Sequence, residues 1–124
     1  MNKTEVVKTL IDAQMEYGLV ETLHKVFGKN IKVSVGFSKS ACDASIEELV
    51  LSVRSYNALR RANVTTLGDL IERLNEGDLK SIRNLGAKSF SEIQTKMLVY
   101  GFERLNEKER YAFFTHLVEN NTAA

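Results

Sequence analysis

The chain has 124 residues, 44% hydrophobic and 27% charged, a composition that excludes disordered and fibrous classes and suits one domain of about 60–100 residues plus an attachment. Seventeen basic residues against 16 acidic ones leave a net charge of +1, which excludes a global positive field, so any grip on nucleic acid has to be local. No secretory signal pattern opens the sequence, and no stretch approaches the roughly 18 apolar residues of a membrane span, so a soluble, cytoplasmic protein without a membrane partner is expected.

From Thr4 to Phe27 apolar residues recur three or four apart, predicting one amphipathic helix that Gly28 stops. The next segment, IKVSVGF, alternates apolar Ile31, Val33, Val35 and Phe37 with Lys32, Ser34 and Gly36. That period predicts a short strand over 31–37, which either pairs with another copy or runs extended as a linker. The small, polar run SKSACDAS, Ser38 to Ser45, marks the expected boundary between an N-terminal part, residues 1–44, and a helical domain, residues 45–124. An apolar helix followed by an unpaired strand edge leads us to expect self-association through the N-terminal part.

Beyond the boundary, helix signals follow one another closely. Ser45 and Glu48 stand at capping-box spacing, Ser52 is an N-cap for a helix over about Val53 to Ala62, and Thr66 caps LGDLIERL. EGDLKSI reads as a short turn or helix and RNLG as a loop. AKSFSEIQTKMLVYGF reads as a longer helix ended by Gly101, and Asn106 with Glu109 forms a capping box for a final helix. Proline is absent. The expected fold is therefore all-α, a compact bundle of short helices, with the strand as its one exception. ALRRANVTTLGDL and DLKSIRNLGAKSFSEI each place helix, tight turn and helix in succession, a helix-hairpin-helix type of unit. Leu59, Val64, Leu67, Leu70, Ile71, Leu74, Leu79, Ile82, Leu85, Phe90, Ile93 and Met97 fall at core spacing.

Two pieces of this region carry the chemistry: LSVRSYNALRRA, with Arg54 and Asn57, and RNLGAKSFSEI, with Gly86, Lys88, Ser89 and Glu92. Together they are specific, and from Ile46 to Phe102 the chain resembles the C-terminal domain of the bacterial RNA polymerase alpha subunit. The resemblance implies that both pieces form one surface on the DNA minor groove. It carries that role to Arg54, Asn57, Gly86, Lys88, Ser89 and Glu92, and to position 58, where Ala58 stands in place of a cysteine common in the family. Ala87 stands where the family often has a further basic residue, which implies weaker binding.

The residues themselves fit such chemistry. Arg54 and Asn57, three apart on a helix, project from one face. Gly86 precedes a helix whose first amides lack intrahelical partners, so an anion can approach them. By contrast, Cys42 cannot form an intramolecular disulfide, and the distant His24 and His116 offer no zinc-ligand spacing. No nucleophile with its base, paired carboxylates or metal cluster points to an enzyme, and no cofactor or metal is expected.

In the family this module hangs from a large assembly domain for which 124 residues have no room. The resemblance thus implies a stand-alone accessory or regulatory protein that docks on A·T-rich minor groove, with RNA polymerase or a transcription regulator as a further partner. The alternative is a protein-interaction module that contacts polymerase, a regulator or a second copy without DNA. The near-neutral charge favours that alternative slightly.

Overall fold

The computed structural model describes residues 2–28 and 37–121, and every regular element among them is helical. In chain order these are α1 (Lys3–Tyr17), α2 (Leu19–Phe27), α3 (Lys39–Cys42), a 3-10 turn (Ile46–Leu49) and α4 (Val53–Arg61). Then come α5 (Leu67–Glu76), a second 3-10 turn (Leu79–Ser81), α6 (Ala87–Glu103) and α7 (Glu107–Asn121). The expected all-α class holds. The strand expected over 31–37 lies, apart from Phe37, outside the described residues.

The single N-terminal helix read from the sequence is two helices. Gly18 adopts φ 86° and ψ 162°, a region open essentially to glycine alone, and there the helical path breaks. Its amide still closes α1 by donating to the Gln14 carbonyl at 2.9 Å. Gly28, at φ 86°, ends α2 as expected.

Contacts divide the chain into two units, one of residues 1–35 with 101–124 and one of residues 36–100. In the first, α1 packs on both α2 and α7, so its apolar stripe, Val7 and Leu10, is covered within the unit. Phe102, Phe113 and Phe114 meet edge to face with centroids 5.4–5.5 Å apart, an arrangement the ring quadrupoles favour. The Arg110 guanidinium lies 4.7 Å from the Phe102 centroid, and Lys3 pairs with Glu119 at 2.9 Å. The final helix therefore groups with the N-terminal helices, whereas the sequence reading placed it in the domain beginning at 45. Its buried residues are Phe114, Leu117 and Val118, and α1 packs on this helix. Asn106 and Glu109 form the expected reciprocal cap at its start.

Gly101 does not stop α6, which continues to Glu103. The extra turn carries Phe102, 2% exposed, to its aromatic partners. The bonds from Arg104 N–H to Gly101 and from Leu105 N–H to Phe102 then tighten and close the helix.

The second unit is built on Ile46, Leu49, Ala58, Leu59, Val64, Leu67, Leu70, Leu79, Ile82, Leu85, Ile93, Met97 and Tyr100. It also includes the polar run read as a boundary. Phe37, Ala41 and Ala44 pack on this core, and the Ala44 carbonyl accepts the Leu67 amide at 2.9 Å. Gly68 lets α3 come close, since a Cβ there would stand 3.1 Å from the Cys42 carbonyl oxygen. Cys42 is thus half-buried in a packed helix and not in a linker.

Local chemistry fixes the remaining helix ends. Thr66 and Asp69 cap α5 reciprocally. The Thr65 amide first, with the Thr66 amide and both hydroxyls, outweighs burial and holds the Asp69 carboxyl below its usual value. Left-handed Gly77 at φ 75° ends the helix. Asn63 and Asn84 take φ 63° and 68° at the tight turns, as asparagine tolerates, while Val50 does so at φ 53° despite its branched Cβ.

Phe114, with no exposed surface, anchors the aromatic cluster. Phe114→Ala is expected to lower stability by about 3–5 kcal/mol, whereas the more exposed Tyr111→Ala should change it by less than about 0.5 kcal/mol. Chemical denaturation of both variants checks this, and equal losses would contradict the assignment.

Candidate nucleic-acid interface

The site begins with two helix N-termini in the second unit. Ser52 opens α4, its hydroxyl accepting the Ser55 amide at 3.3 Å. Gly86 opens α6, its carbonyl accepting the Phe90 amide at 2.9 Å. The amides of Ala87, Lys88 and Ser89 therefore have no intrahelical acceptor and carry the positive end of the helix dipole. Gly86 has no left-handed φ, and a Cβ on it would meet nothing within 4 Å. The fold does not require glycine there, and the missing side chain leaves the amides open to whatever approaches from outside.

Glu92, one turn into α6, fastens this start to α4. Its carboxylate accepts the Ser52 amide at 3.0 Å, the Ser52 hydroxyl at 2.9 Å and the Ser55 hydroxyl at 2.5 Å. Burial opposes ionisation of Glu92. The Ser55 hydroxyl, the Ser52 amide and hydroxyl and the charge of Lys96 together outweigh it and hold the carboxyl below its usual value. The negative charge is consequently engaged by donors of α4.

Ser52, Arg54, Gly86, Ala87, Lys88, Ser89 and Glu92 line one open depression of about 530 Å³. Five of the seven residues assigned from the sequence, Arg54, Gly86, Lys88, Ser89 and Glu92, thus come together. Asn57 is exposed on α4 one turn beyond Arg54 but is not part of the lining. Ala58 is a correction: at 2% exposure it belongs to the core, because α4 turns that position inward beside Leu59. Glu92 lines the depression while its oxygens accept from Ser52 and Ser55 of α4. The sequence reading missed Ser52 as a lining residue and Ser55 as a partner of Glu92. The only signal was Ser52 as an N-cap, and a pairing across 40 positions leaves no local trace.

Arg54 and Lys88 are exposed in the lining, so the depression offers an arginine, an ammonium and free amides, with Ser89 buried beneath at 8% exposure. That is a donor-rich surface suited to an anionic ligand. Among the described residues no helix is long and apolar enough to cross a membrane.

Fold and depression define a small all-helical binding module. Residues 37–98 match the family model of the C-terminal domain of the bacterial RNA polymerase alpha subunit, and the protein belongs to that family. The match begins nine residues before the Ile46 read from the sequence, in keeping with Phe37 and α3 packing on the core. Among similar proteins are the DNA-directed RNA polymerase alpha subunits of Malacoplasma penetrans, 48% identical over 55% of this chain and 20% of the relative, and of Moorella thermoacetica, 46% identical over 54% and 21%. That of Frankia alni is 39% identical over 77% and 27%. The chain thus spans about a fifth to a quarter of the length of these curated relatives. No solved structure matches it.

Replacing Glu92 tests the fastening. Glu92→Gln is expected to lower stability at neutral pH by about 1–3 kcal/mol, because it weakens bonds to buried Ser55 and to the Ser52 amide. The folded-state value of Glu92 lies below the ordinary 4.5, so its contribution is full above that value and is lost as pH falls through the folded one. Thermal melts should show the gap between wild type and variant as full at neutral pH and narrowing only as pH falls below about 4.5. A constant gap would contradict the assignment.

Proposed function

We propose that the surface of Arg54, Asn57, Gly86, Lys88 and Ser89 binds the minor groove of A·T-rich DNA. The chain then serves transcription as a non-catalytic accessory or regulatory module, with RNA polymerase or a regulator as its protein partner. The observation that carries this reading is the depression itself, where an exposed arginine on α4 faces a helix N-terminus bearing Lys88 and Ser89. Membership of the alpha C-terminal family and relatives named as DNA-directed RNA polymerase subunits support it. Narrow A·T-rich grooves concentrate negative potential and attract arginine, so shape is read more than base identity. Glu92 acts here as a positioning residue that ties the starts of α4 and α6 together.

Few phosphates are neutralised and Ala87 adds no charge, so the isolated protein should bind weakly, at about 10⁻⁴–10⁻⁶ M. Titration of labelled A·T-rich and G·C-rich duplexes at two salt concentrations tests the reading. Arg54→Ala is expected to abolish most of the A·T preference, and Lys88→Ala to weaken all duplexes alike and flatten the salt dependence by roughly one unit of slope. If folded variants bind as wild type does, the protein-interaction reading replaces this one.

Self-association through the N-terminal part is a second reading, favoured by Met15, Tyr17 and Val26, which are 78%, 52% and 49% exposed in α1 and α2. Light scattering at high concentration should give a mass above that of one protomer. A monomer overturns it.

A further inference from the structure

Arg60 and Arg61 are neighbours near the end of α4, and the structure treats them differently. Arg60 donates to the Tyr56 hydroxyl at 3.1 Å and lies over the Tyr56 ring, 5.7 Å from its centroid. Tyr56 in turn donates to Glu47 at 3.0 Å. Arg60 is thereby held against its own unit, with a carboxylate beyond the tyrosine. Arg61 is exposed, and among the described residues no hydrogen bond, ion pair or ring contact engages it.

Helix geometry decides where each points. At 100° per residue, Arg61 lies about 20° from Arg54 around the α4 axis and Asn57 about 60° from it, while Arg60 falls about 120° away. Arg54, Asn57 and Arg61 form an i, i+3, i+7 stripe along one face. Arg61 stands about 10.5 Å beyond Arg54 along the axis, far enough to meet a different phosphate.

We infer that Arg61 is an additional DNA-backbone contact, binding a phosphate on the flank of the groove that Arg54 enters. The inference rests on the proposed DNA-binding reading and extends that surface along α4. Its guanidinium is unpaired before binding, so no internal partner has to be released. An ammonium or guanidinium on a phosphate releases counterions and carries no base information. Arg61 therefore sets affinity and salt dependence and leaves sequence preference to Arg54.

The test measures binding of the full-length protein to a labelled A·T-rich and a labelled G·C-rich duplex across a salt series, for wild type, Arg61→Gln, Arg61→Lys and Arg60→Gln. Arg61→Gln should reduce the slope of log K against log salt by about 0.9, so that a fourfold rise in salt weakens it about 3.5-fold less than wild type. Its A·T preference should be unchanged. Arg61→Lys should restore the slope, and Arg60→Gln should leave it at the wild-type value. Equal melting temperatures for Arg61→Gln and wild type show that the fold is intact. A wild-type slope in Arg61→Gln overturns the inference, and if Arg54→Ala still loses the A·T preference, the proposed function stands without it. Absence of any binding by wild type overturns both.

Discussion

A single carboxylate holds the candidate interface in shape. Glu92 takes three hydrogen bonds from Ser52 and Ser55, and through them the start of α4 is tied to the first turn of α6. Arg54 sits two residues after Ser52, and Lys88 and Ser89 sit one turn before Glu92, so the bridge fixes the spacing between the residues that line the depression. Ser55 is fully buried, and a hydroxyl there without an acceptor would be costly. A carboxylate on a surface meant for an anion would repel its ligand. Here the donors from α4 occupy three of its roughly four acceptor sites, and the positive end of the α4 dipole lies beside it.

Internal pairing also sorts the basic residues. Arg60 is engaged by Tyr56, and Arg73 by the Ala62 carbonyl and Asp78. Lys80 lies over the Phe90 ring. A net charge of +1 is thus compatible with a local field, because Arg54, Lys88 and Arg61 are exposed and, among the described residues, held in no ion pair. Composition alone is a poor guide to such a surface.

The sequence made the helical class and most of the core legible, because apolar spacing and caps are local signals. Ser52, Thr66, Asn106 and Glu109 all cap where the pattern places them. It misjudged features set by tertiary contact. Gly18 splits a helix whose apolar period runs on through it. Gly101 stays helical because Phe102 gains aromatic neighbours. Ser38 to Ser45 looks polar, yet its two alanines pack and its backbone meets Gly68. At the site, Arg54, Gly86, Lys88 and Ser89 were readable through resemblance to a family. The inward turn of Ala58 and the capture of Glu92 by serines 37 and 40 positions away depend on packing that no local pattern encodes.

The turns between these helices are made without proline, which the sequence lacks entirely. Left-handed Val50, Asn63, Asn84 and Gly77 change the direction of the backbone instead. Such residues reach their conformations by rotating φ and ψ, which takes nanoseconds to microseconds, whereas an X–Pro bond isomerises over tens of seconds. Every unfolded molecule therefore starts with the peptide isomers it needs. Refolding after dilution from denaturant thus lacks the slow phase that peptidyl-prolyl isomerases relieve.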